Sequence, residues 1–235
     1  MDILIRGCRE LGIELTEKQI EQFQKFYEYL VEKNKVMNLT AITESEEVQV
    51  KHFLDSVAAV KAFDFNKAGR VLDLGTGAGF PGVPLKIVFP DMDLVLMDSL
   101  NKRVKFLEEV IEMCGLEKVT AVHGRAEEMA RNKLYREQFD TCLSRAVANL
   151  STLSEYCIPF VKKGGRFISY KSINIDMELK DAERALKLLG GKAKEPVNYH
   201  VPESDFDRTV IVIEKVNATP KVYPRKAGTP SKDPL

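Results

Sequence analysis

The stretch Arg70-Val-Leu-Asp-Leu-Gly-Thr-Gly-Ala-Gly-Phe-Pro-Gly82 decides the fold of this chain. Its apolar part, residues 71–74, is followed by glycines at alternate positions, Gly75, Gly77 and Gly79. The apolar run predicts a buried strand, and the glycines allow the following loop to approach a ligand closely because no Cβ intervenes. We therefore expect a ligand-binding loop at the carboxyl end of the first strand of a sheet.

Two cofactor classes use a loop of this kind. Gly77-Ala-Gly-Phe-Pro-Gly82 satisfies the dinucleotide fingerprint G-x-G-x-x-G, which is a weak signal when it stands alone. Asp73 favours the other class, because a pyrophosphate requires a helix N-terminus without a neighbouring carboxylate, whereas an amine or sulfonium tolerates one. The pattern D-x-G-x-G-x-G resembles the nucleotide loop of S-adenosylmethionine-dependent methyltransferases. A glycine-rich turn without a ligand is the structural alternative.

Composition limits the classes of protein to which the chain can belong. Its 235 residues allow one sizeable core plus an appendage, and 35 basic residues balance 35 acidic ones. A neutral chain is not expected to bind nucleic acid indiscriminately. No apolar run approaches the roughly 20 residues of a membrane span, no signal peptide is visible, and no long apolar stripe demands a partner. We expect a cytoplasmic monomer that binds neither membrane nor metal, since the four cysteines lack ligand spacing.

The first part of the chain predicts helices. Residues 16–33 have an amphipathic pattern that starts with a capping box formed by Thr16 and Gln19, and residues 46–63 repeat the apolar spacing. We therefore divide the chain into an N-terminal helical cap (1–65), a cofactor-binding domain (66–216) and a basic C-terminal tail (217–235).

From residue 70 the pattern alternates between strands and helices, which predicts a parallel sheet covered on both faces. The predicted strands are 70–74, 93–97, 119–122, 139–143 and 165–170, and the predicted helices are 82–89, 101–114, 126–134, 150–161 and 176–190. Residues 209–214 are expected to pair antiparallel with a strand near 197–201. The fold class is thus α/β and Rossmann-like, with a mostly parallel seven-stranded sheet whose last strand is antiparallel.

Ligand contacts in such a sheet are expected at the carboxyl ends of the strands. Asp98 closes the second strand and can accept the ribose hydroxyls of an adenosine, or alternatively favour the dipole of the next helix. After the third strand, the Ala126 backbone and the Glu127 carboxylate lie where an adenine edge would be bound. The alternative for these two residues is a helix cap.

Basic residues follow the later strands. Arg145 comes after the fourth strand, where a cleft-facing guanidinium requires a carboxylate, a phosphate or a ring, and an ion pair with Asp73 or Glu127 is its structural alternative. Lys171 ends the fifth strand, as a phosphate contact or as a side chain that only reaches solvent. The basic tail is equally consistent with binding to phosphates and with simple solvation.

Several separate motifs occur in an order that resembles the RsmG (glucose-inhibited division protein B) family of bacterial small-subunit ribosomal RNA methyltransferases. Besides the glycine loop, the matching segments are Asn34-Lys-Val-Met-Asn-Leu-Thr-Ala-Ile42, His52-Phe-Leu-Asp-Ser56, Asp98-Ser-Leu-Asn-Lys-Arg103, Arg125-Ala-Glu127, Ser144-Arg-Ala-Val-Ala148 and Tyr223-Pro-Arg-Lys-Ala-Gly-Thr-Pro230. Because these segments span most of the chain, the resemblance is far more specific than any single glycine loop.

The resemblance implies methyl transfer from S-adenosylmethionine to N7 of a loop guanine in 16S ribosomal RNA, within an assembling small subunit. With the loop glycines added, the implied cofactor contacts are Gly75, Gly77, Gly79, Phe80, Asp98, Ser99, Leu100, Ala126, Glu127 and Arg145. The candidate substrate contacts are Asn38, Arg145, Lys171, Arg225 and Lys226. No general base is expected, because guanine N7 already carries an in-plane lone pair.

Other functions remain open at the level of sequence. A methyltransferase acting on a small molecule or a protein would use the same cofactor loop. A dinucleotide-dependent oxidoreductase would use Gly77-x-Gly-x-x-Gly82. A non-catalytic RNA-binding module is disfavoured, because it would not need the acids at Asp98 and Glu127.

Overall fold

The computed structural model describes residues 1–146 and 148–235 and contains an eight-stranded sheet flanked by helices. The strands are β1 Arg70–Leu74, β2 Asp93–Asp98, β3 Val119–His123, β4 Phe139–Ser144, β5 Val161–Lys171, β6 Gly191–Ala193, β7 Val197–His200 and β8 Asp207–Lys215. The α-helices are α1 Asp2–Glu10, α2 Glu17–Met37, α3 Ser45–Val48, α4 Asp55–Val57, α5 Gly82–Val88, α6 Asn101–Met113, α7 Ala126–Met129, α8 Leu150–Cys157, α9 Asp176–Leu189 and α10 Thr229–Lys232.

The strand order is β3-β2-β1-β4-β5-β8-β6, with β7 also paired to β8. Strands β1 to β5 run parallel, whereas β8 pairs antiparallel with β5, β6 and β7. This arrangement confirms the predicted α/β class with its antiparallel last strand. The order of strands reverses between β1 and β4, so the carboxyl ends of these two strands flank the crevice in which such sheets bind ligands.

The sheet has eight strands rather than seven because its edge is interrupted. Strands β6 and β7 follow one another along the same side of β8. The N–H of Lys194 still donates to the carbonyl of Val212 at 2.9 Å, but Pro196 cannot continue the ladder because it has no N–H. The three-residue strand β6 was too short to be predicted.

The helices agree with the prediction in outline and differ in several places, among them α10, which was not predicted, and α8, which ends at Cys157 rather than at residue 161. The Thr16–Gln19 capping box is present at the start of α2. Helix α1 was not predicted, and the helix predicted at 126–134 ends at Met129. The helix predicted at 46–63 is a composite, in which a π-helical segment, Gln49–Leu54, lies between α3 and α4 and a 3₁₀ segment, Ala58–Lys61, follows.

The N-terminal helices share a core with one face of the sheet. Phe23, Phe26 and Phe53 have no solvent exposure. The ring of Phe26 lies 5.6 Å from that of Phe53 and 5.4 Å from that of Phe80, which follows the glycine loop. The N-terminal helices are therefore packed directly against the segment that carries the loop.

The C-terminal segment packs against the body of the protein. Arg136 donates to the carbonyl oxygens of Thr219 and Tyr223 at 2.8 and 2.9 Å, and Arg131 donates to that of Pro224 at 2.5 Å. Helix α10 then contacts α8. The basic side chains of the C-terminal segment are therefore carried on a stretch that is fixed to the body of the protein.

We predict that Phe26→Ala lowers the free energy of unfolding by about 3–5 kcal/mol, because it opens a cavity where the helices meet the loop segment. Urea unfolding followed by circular dichroism measures the change. Val36→Ala is the control, since Val36 lies on the same helix with 80% of its surface exposed. A loss below 1 kcal/mol for Phe26→Ala would contradict the shared core.

Candidate active site

The glycine loop is held from beneath by Asp73. This side chain is fully buried, and its Oδ2 accepts hydrogen bonds from the Thr76 hydroxyl at 2.7 Å and from the Gly82 N–H at 2.8 Å. A Cβ at Gly82 would lie 2.7 Å from the same oxygen, so only glycine allows this approach. Burial raises the pKa of Asp73 to about 6. Asp73 therefore shapes the loop and is not exposed to a ligand.

Asp98 connects the loop to the start of α6. Its Oδ2 accepts a hydrogen bond from the Gly77 N–H at 3.0 Å, and its Oδ1 accepts one from the Leu100 N–H at 2.9 Å. The guanidinium of Arg103 lies 3.5 Å from Oδ2. These contacts fix the carboxylate at the carboxyl end of β2, where it borders a cavity.

This cavity, the glycine-loop pocket, has a volume of about 440 Å³. Its walls bring together five of the residues that the sequence placed at the cofactor, namely Gly75, Asp98, Ser99, Ala126 and Glu127. A Cβ on Gly75 would meet no atom within 4 Å, so the backbone there is bare. The pocket thus combines an uncovered backbone with two fixed carboxylates.

Other lining residues were missed by the sequence reasoning. Leu153, Tyr156 and Cys157 come from α8, and Gly228 comes from the C-terminal segment. The Gly228 N–H donates to Oε1 of Glu127 at 2.9 Å. The helix residues have an ordinary apolar spacing, and nothing local in the sequence shows that residue 228 returns to residue 127.

Half of the predicted cofactor residues do not line this pocket. Gly77 and Leu100 support it through the Asp98 carboxylate. Gly79 is packed in the interior, where a Cβ would lie 2.7 Å from Cγ2 of Val83. Phe80 and Arg145, the other two, belong to a neighbouring cluster.

This neighbouring cluster borders a second cavity of about 850 Å³, which we call the basic pocket. Its charged lining residues are Lys51, Arg145, Lys171 and Arg208 on the basic side and Asp55 and Glu178 on the acidic side. The basic groups outnumber the acidic ones by two, so the cavity favours an anionic ligand although the chain is neutral.

A buried carboxylate organises the basic pocket. Asp55 is 2% exposed, and its oxygens accept hydrogen bonds from Arg145 and Arg208, each at 2.8 Å. The Arg145 guanidinium also lies 5.2 Å from the centre of the Phe80 ring. The partner of Arg145 is therefore Asp55, rather than Asp73 or Glu127 as the sequence suggested. The carboxylate and the ring hold its cation in a defined place.

His52 lies in the π-helical segment and completes this cluster. Its ring stacks on that of Phe80 with centroids 4.5 Å apart, and its Nε2 lies 2.8 Å from the hydroxyl of Thr40. Burial, helped by the charge of Arg145, lowers the pKa of His52 to about 4. The imidazole is therefore neutral at pH 7. A π-helical turn inside a helix often marks a functional site.

The two pockets adjoin each other. Ala146 and Ala148, on the loop after β4, line both cavities. Small side chains at this shared wall leave space between the two cavities. The loop after β4 thus separates a pocket with two fixed carboxylates from one with excess positive charge.

The predicted substrate residues are distributed over several places. Lys171 lines the basic pocket and donates to Glu178 at 2.6 Å and to the carbonyl oxygen of Ala148 at 2.8 Å. Asn38 is the left-handed C-cap of α2 and lines neither pocket. Lys226 is exposed, and Arg225 is paired with Glu155 instead of facing solvent freely.

Two negative findings apply to residues 1–146 and 148–235. Within these ranges, no group of three or more histidine, cysteine, aspartate or glutamate side chains is arranged to hold a metal ion. Over the same residues, every helix is too short or too polar to span a membrane.

Solved structures with this fold include methyltransferases. A mutant of MtNAS in complex with S-adenosylmethionine matches with a TM-score of 0.56 at 15% identity, over 91% of this chain and 77% of that one. An O-methyltransferase from Bacillus cereus in complex with SAH matches with a TM-score of 0.52 at 17% identity, over 81% and 90% of the two chains. These likenesses show that the chain has the Rossmann-like fold found in class I methyltransferases.

The sequence itself identifies the family. A family model described as GidB, rRNA small subunit methyltransferase G, matches residues 19–206. A protein from Lachnoclostridium phytofermentans named ribosomal RNA small subunit methyltransferase G is 54% identical over 98% of this chain and 96% of its own length. One of the same name from Alkaliphilus metalliredigens is 50% identical over 99% and 98%. The chain belongs to the GidB family, which confirms the resemblance.

We predict that the depressed pKa of His52 makes the protein less stable in acid. Between pH 6.5 and about 4 the unfolded chain binds a proton that the folded chain does not, so stability falls as the pH falls through this window. From pH 7 to pH 5 the wild type should lose about 2 kcal/mol more than His52→Gln in urea unfolding.

The exposed His123 provides the control for this comparison. His123→Gln removes an imidazole that lies outside the cluster of His52 and Phe80, so its stability curve is the reference for the loss of a histidine as such. Parallel stability curves for the wild type and His52→Gln would show that the folded state does not suppress protonation of His52.

Proposed function

We propose that this protein transfers a methyl group from S-adenosylmethionine to N7 of a loop guanine in 16S ribosomal RNA. One observation carries the proposal: the glycine-loop pocket and the basic pocket meet at Ala146 and Ala148. A cofactor site next to a basic cavity is the arrangement required to methylate a nucleotide. The family name supplies the class of RNA, and the resemblance supplies the atom.

The glycine-loop pocket suits the adenosine part of the cofactor. Asp98 would accept the ribose hydroxyls, Glu127 would bind the adenine edge, and the bare backbone at Gly75 would allow close approach. Once bound, S-adenosylmethionine supplies an electrophilic methyl group on a sulfonium sulfur. Asp98, Glu127 and the backbone at Gly75 would hold the adenosine part of the cofactor in place.

The basic pocket suits the target nucleotide. Arg145 and Arg208 are held by Asp55 at the pocket wall, where they can contact the phosphates or the guanine ring. Guanine N7 lies on the edge that faces the deep, narrow groove of A-form RNA, so the target must be unpaired or swung out of its stack. The volume of about 850 Å³ is large enough for a nucleotide.

Catalysis in this scheme depends on orientation. N7 carries no proton, so no residue has to act as a base. Holding N7 in line with the methyl–sulfur bond is an effect worth up to ~7–11 kcal/mol in favourable cases. His52, neutral and stacked on Phe80, serves to fix that ring beneath the Arg145 guanidinium.

The proposal extends to the location, the oligomeric state and the RNA substrate of the protein. We propose a cytoplasmic monomer that acts on 16S ribosomal RNA within an assembling small subunit, since neutral net charge disfavours tight binding to naked RNA. Residues 1–65 would serve as a cap, 66–216 as the methyltransferase domain and 217–235 as a tail. Asn38 and Lys226 would then contact RNA outside the pockets.

We predict that Arg145→Ala reduces methyl transfer by about a hundredfold, because it removes a positioned cation worth about 2–3 kcal/mol. Affinity for S-adenosylhomocysteine, measured by calorimetry, should change less than twofold, since Arg145 does not line the glycine-loop pocket. Arg184→Ala is the control because Arg184 is exposed on α9. Full activity in Arg145→Ala would exclude the basic pocket as the substrate site.

The reaction itself is tested with small subunits isolated from cells that lack the protein. Labelled S-adenosylmethionine should transfer its methyl group to their RNA, and mass mapping should locate it on N7 of a single loop guanine. Transfer to small molecules or proteins, with none to RNA, would overturn the proposed substrate. Calorimetric binding of NADH in place of S-adenosylhomocysteine would overturn the cofactor assignment as well.

A further inference from the structure

The C-terminal segment forms part of the glycine-loop pocket. Gly228 lines the cavity, and its N–H donates to Oε1 of Glu127 at 2.9 Å. The proposed function places the adenine edge at Glu127. Gly228 therefore touches the side chain that would bind the adenine, although 101 residues separate the two in the chain.

We infer that the ion pair between Arg225 and Glu155 is a latch that holds the C-terminal segment against the cofactor, so that Arg225 is a positioning residue for S-adenosylmethionine. The inference rests on the proposed location of the adenine at Glu127. It assigns Arg225 a role different from the RNA contact expected from the sequence.

The geometry of the latch supports this role. Glu155, on α8, has no solvent exposure, so its carboxylate requires a cationic partner. Arg225 donates to it from Nε at 3.0 Å and from Nη2 at 2.8 Å, and the Arg225 backbone N–H adds a third bond at 2.7 Å. A bidentate guanidinium with a backbone bond fixes both the side chain and the main chain at residue 225.

The segment is anchored again just beyond Gly228. The Thr152 hydroxyl donates to the carbonyl oxygen of Pro230 at 3.0 Å. Residue 228 is therefore held between two attachments to α8, one on each side. Helix α8 also supplies Tyr156 to the pocket wall, so the latch and the cofactor would rest on the same helix.

The latch lowers the cost of binding by ordering the segment beforehand. Without it, residues around Gly228 would have to be immobilised when the cofactor binds, and Glu127 would lose the donor that orients it. Loss of the latch should therefore weaken cofactor binding and leave the transfer step intact once the site is saturated.

The test compares Arg225→Gln with Lys221→Gln, an exposed residue of the same segment. Arg225→Gln should raise the Kd for S-adenosylhomocysteine about tenfold, because that is the effect of losing one hydrogen bond to a charged group. The KM for S-adenosylmethionine should rise by a similar factor. The kcat of Arg225→Gln should stay within twofold of the wild-type value. Adding Glu155→Gln to Arg225→Gln should raise the Kd little further, because the ion pair is already lost. An unchanged Kd in folded Arg225→Gln would overturn the latch.

Hydrogen exchange on the wild-type protein tests the latch even if Arg225→Gln does not fold. In the free protein, the peptides that contain residues 222–230 should already exchange slowly, because the latch orders them, and S-adenosylhomocysteine should protect the peptides that contain residues 124–129 but not a peptide from α1. Rapid exchange of 222–230 in the free protein, with 124–129 still protected by the ligand, would overturn the latch alone. No protection at 124–129 would instead overturn the proposed cofactor site.

Discussion

A buried carboxylate at the end of β1 is the constraint on which the site depends. Asp73 receives two hydrogen bonds that bend the chain from strand into helix, and the approach is so close that residue 82 must be glycine. Burial raises the pKa of this carboxyl to about 6, and the hydrogen bonds from Thr76 and Gly82 oppose that shift by stabilising its charged form. With the loop fixed in this way, Gly77 reaches Asp98, and the backbone at Gly75 is left uncovered.

The two pockets differ in the sign of the charge that prevails on their walls. Asp98 and Glu127 border the pocket assigned to a cationic cofactor, whereas arginines and lysines dominate the pocket assigned to an anionic substrate. In both pockets the ligand-facing groups are held by other parts of the protein: Asp98 by loop amides, and Arg145 by Asp55. Such prior fixing of polar groups is what an orientation-driven reaction requires.

The sequence revealed the parts of this arrangement that are encoded locally. Periodicity and the glycine pattern predicted the parallel sheet, the antiparallel β8 and the carboxylates at the carboxyl ends of β2 and β3. They failed where contacts join distant residues: Asp55 with Arg145 and Arg208, and Glu155 with Arg225, are separated by 90, 153 and 70 positions. The position of Arg145 after a strand marked it as a candidate, but its expected ion-pair partners were wrong. The true partner, Asp55, is distant in the sequence, and no local pattern indicates it.

The central claim is that cofactor and target base occupy adjoining pockets that meet at Ala146 and Ala148. A crystal structure with a bisubstrate analogue, in which adenosine is linked through a short chain to N7 of guanosine, tests it most directly. The account predicts adenosine between Asp98 and Glu127 and guanine beside Arg145, with the linker passing the two alanines. Guanine bound outside the basic pocket, with adenosine still in place, would contradict it.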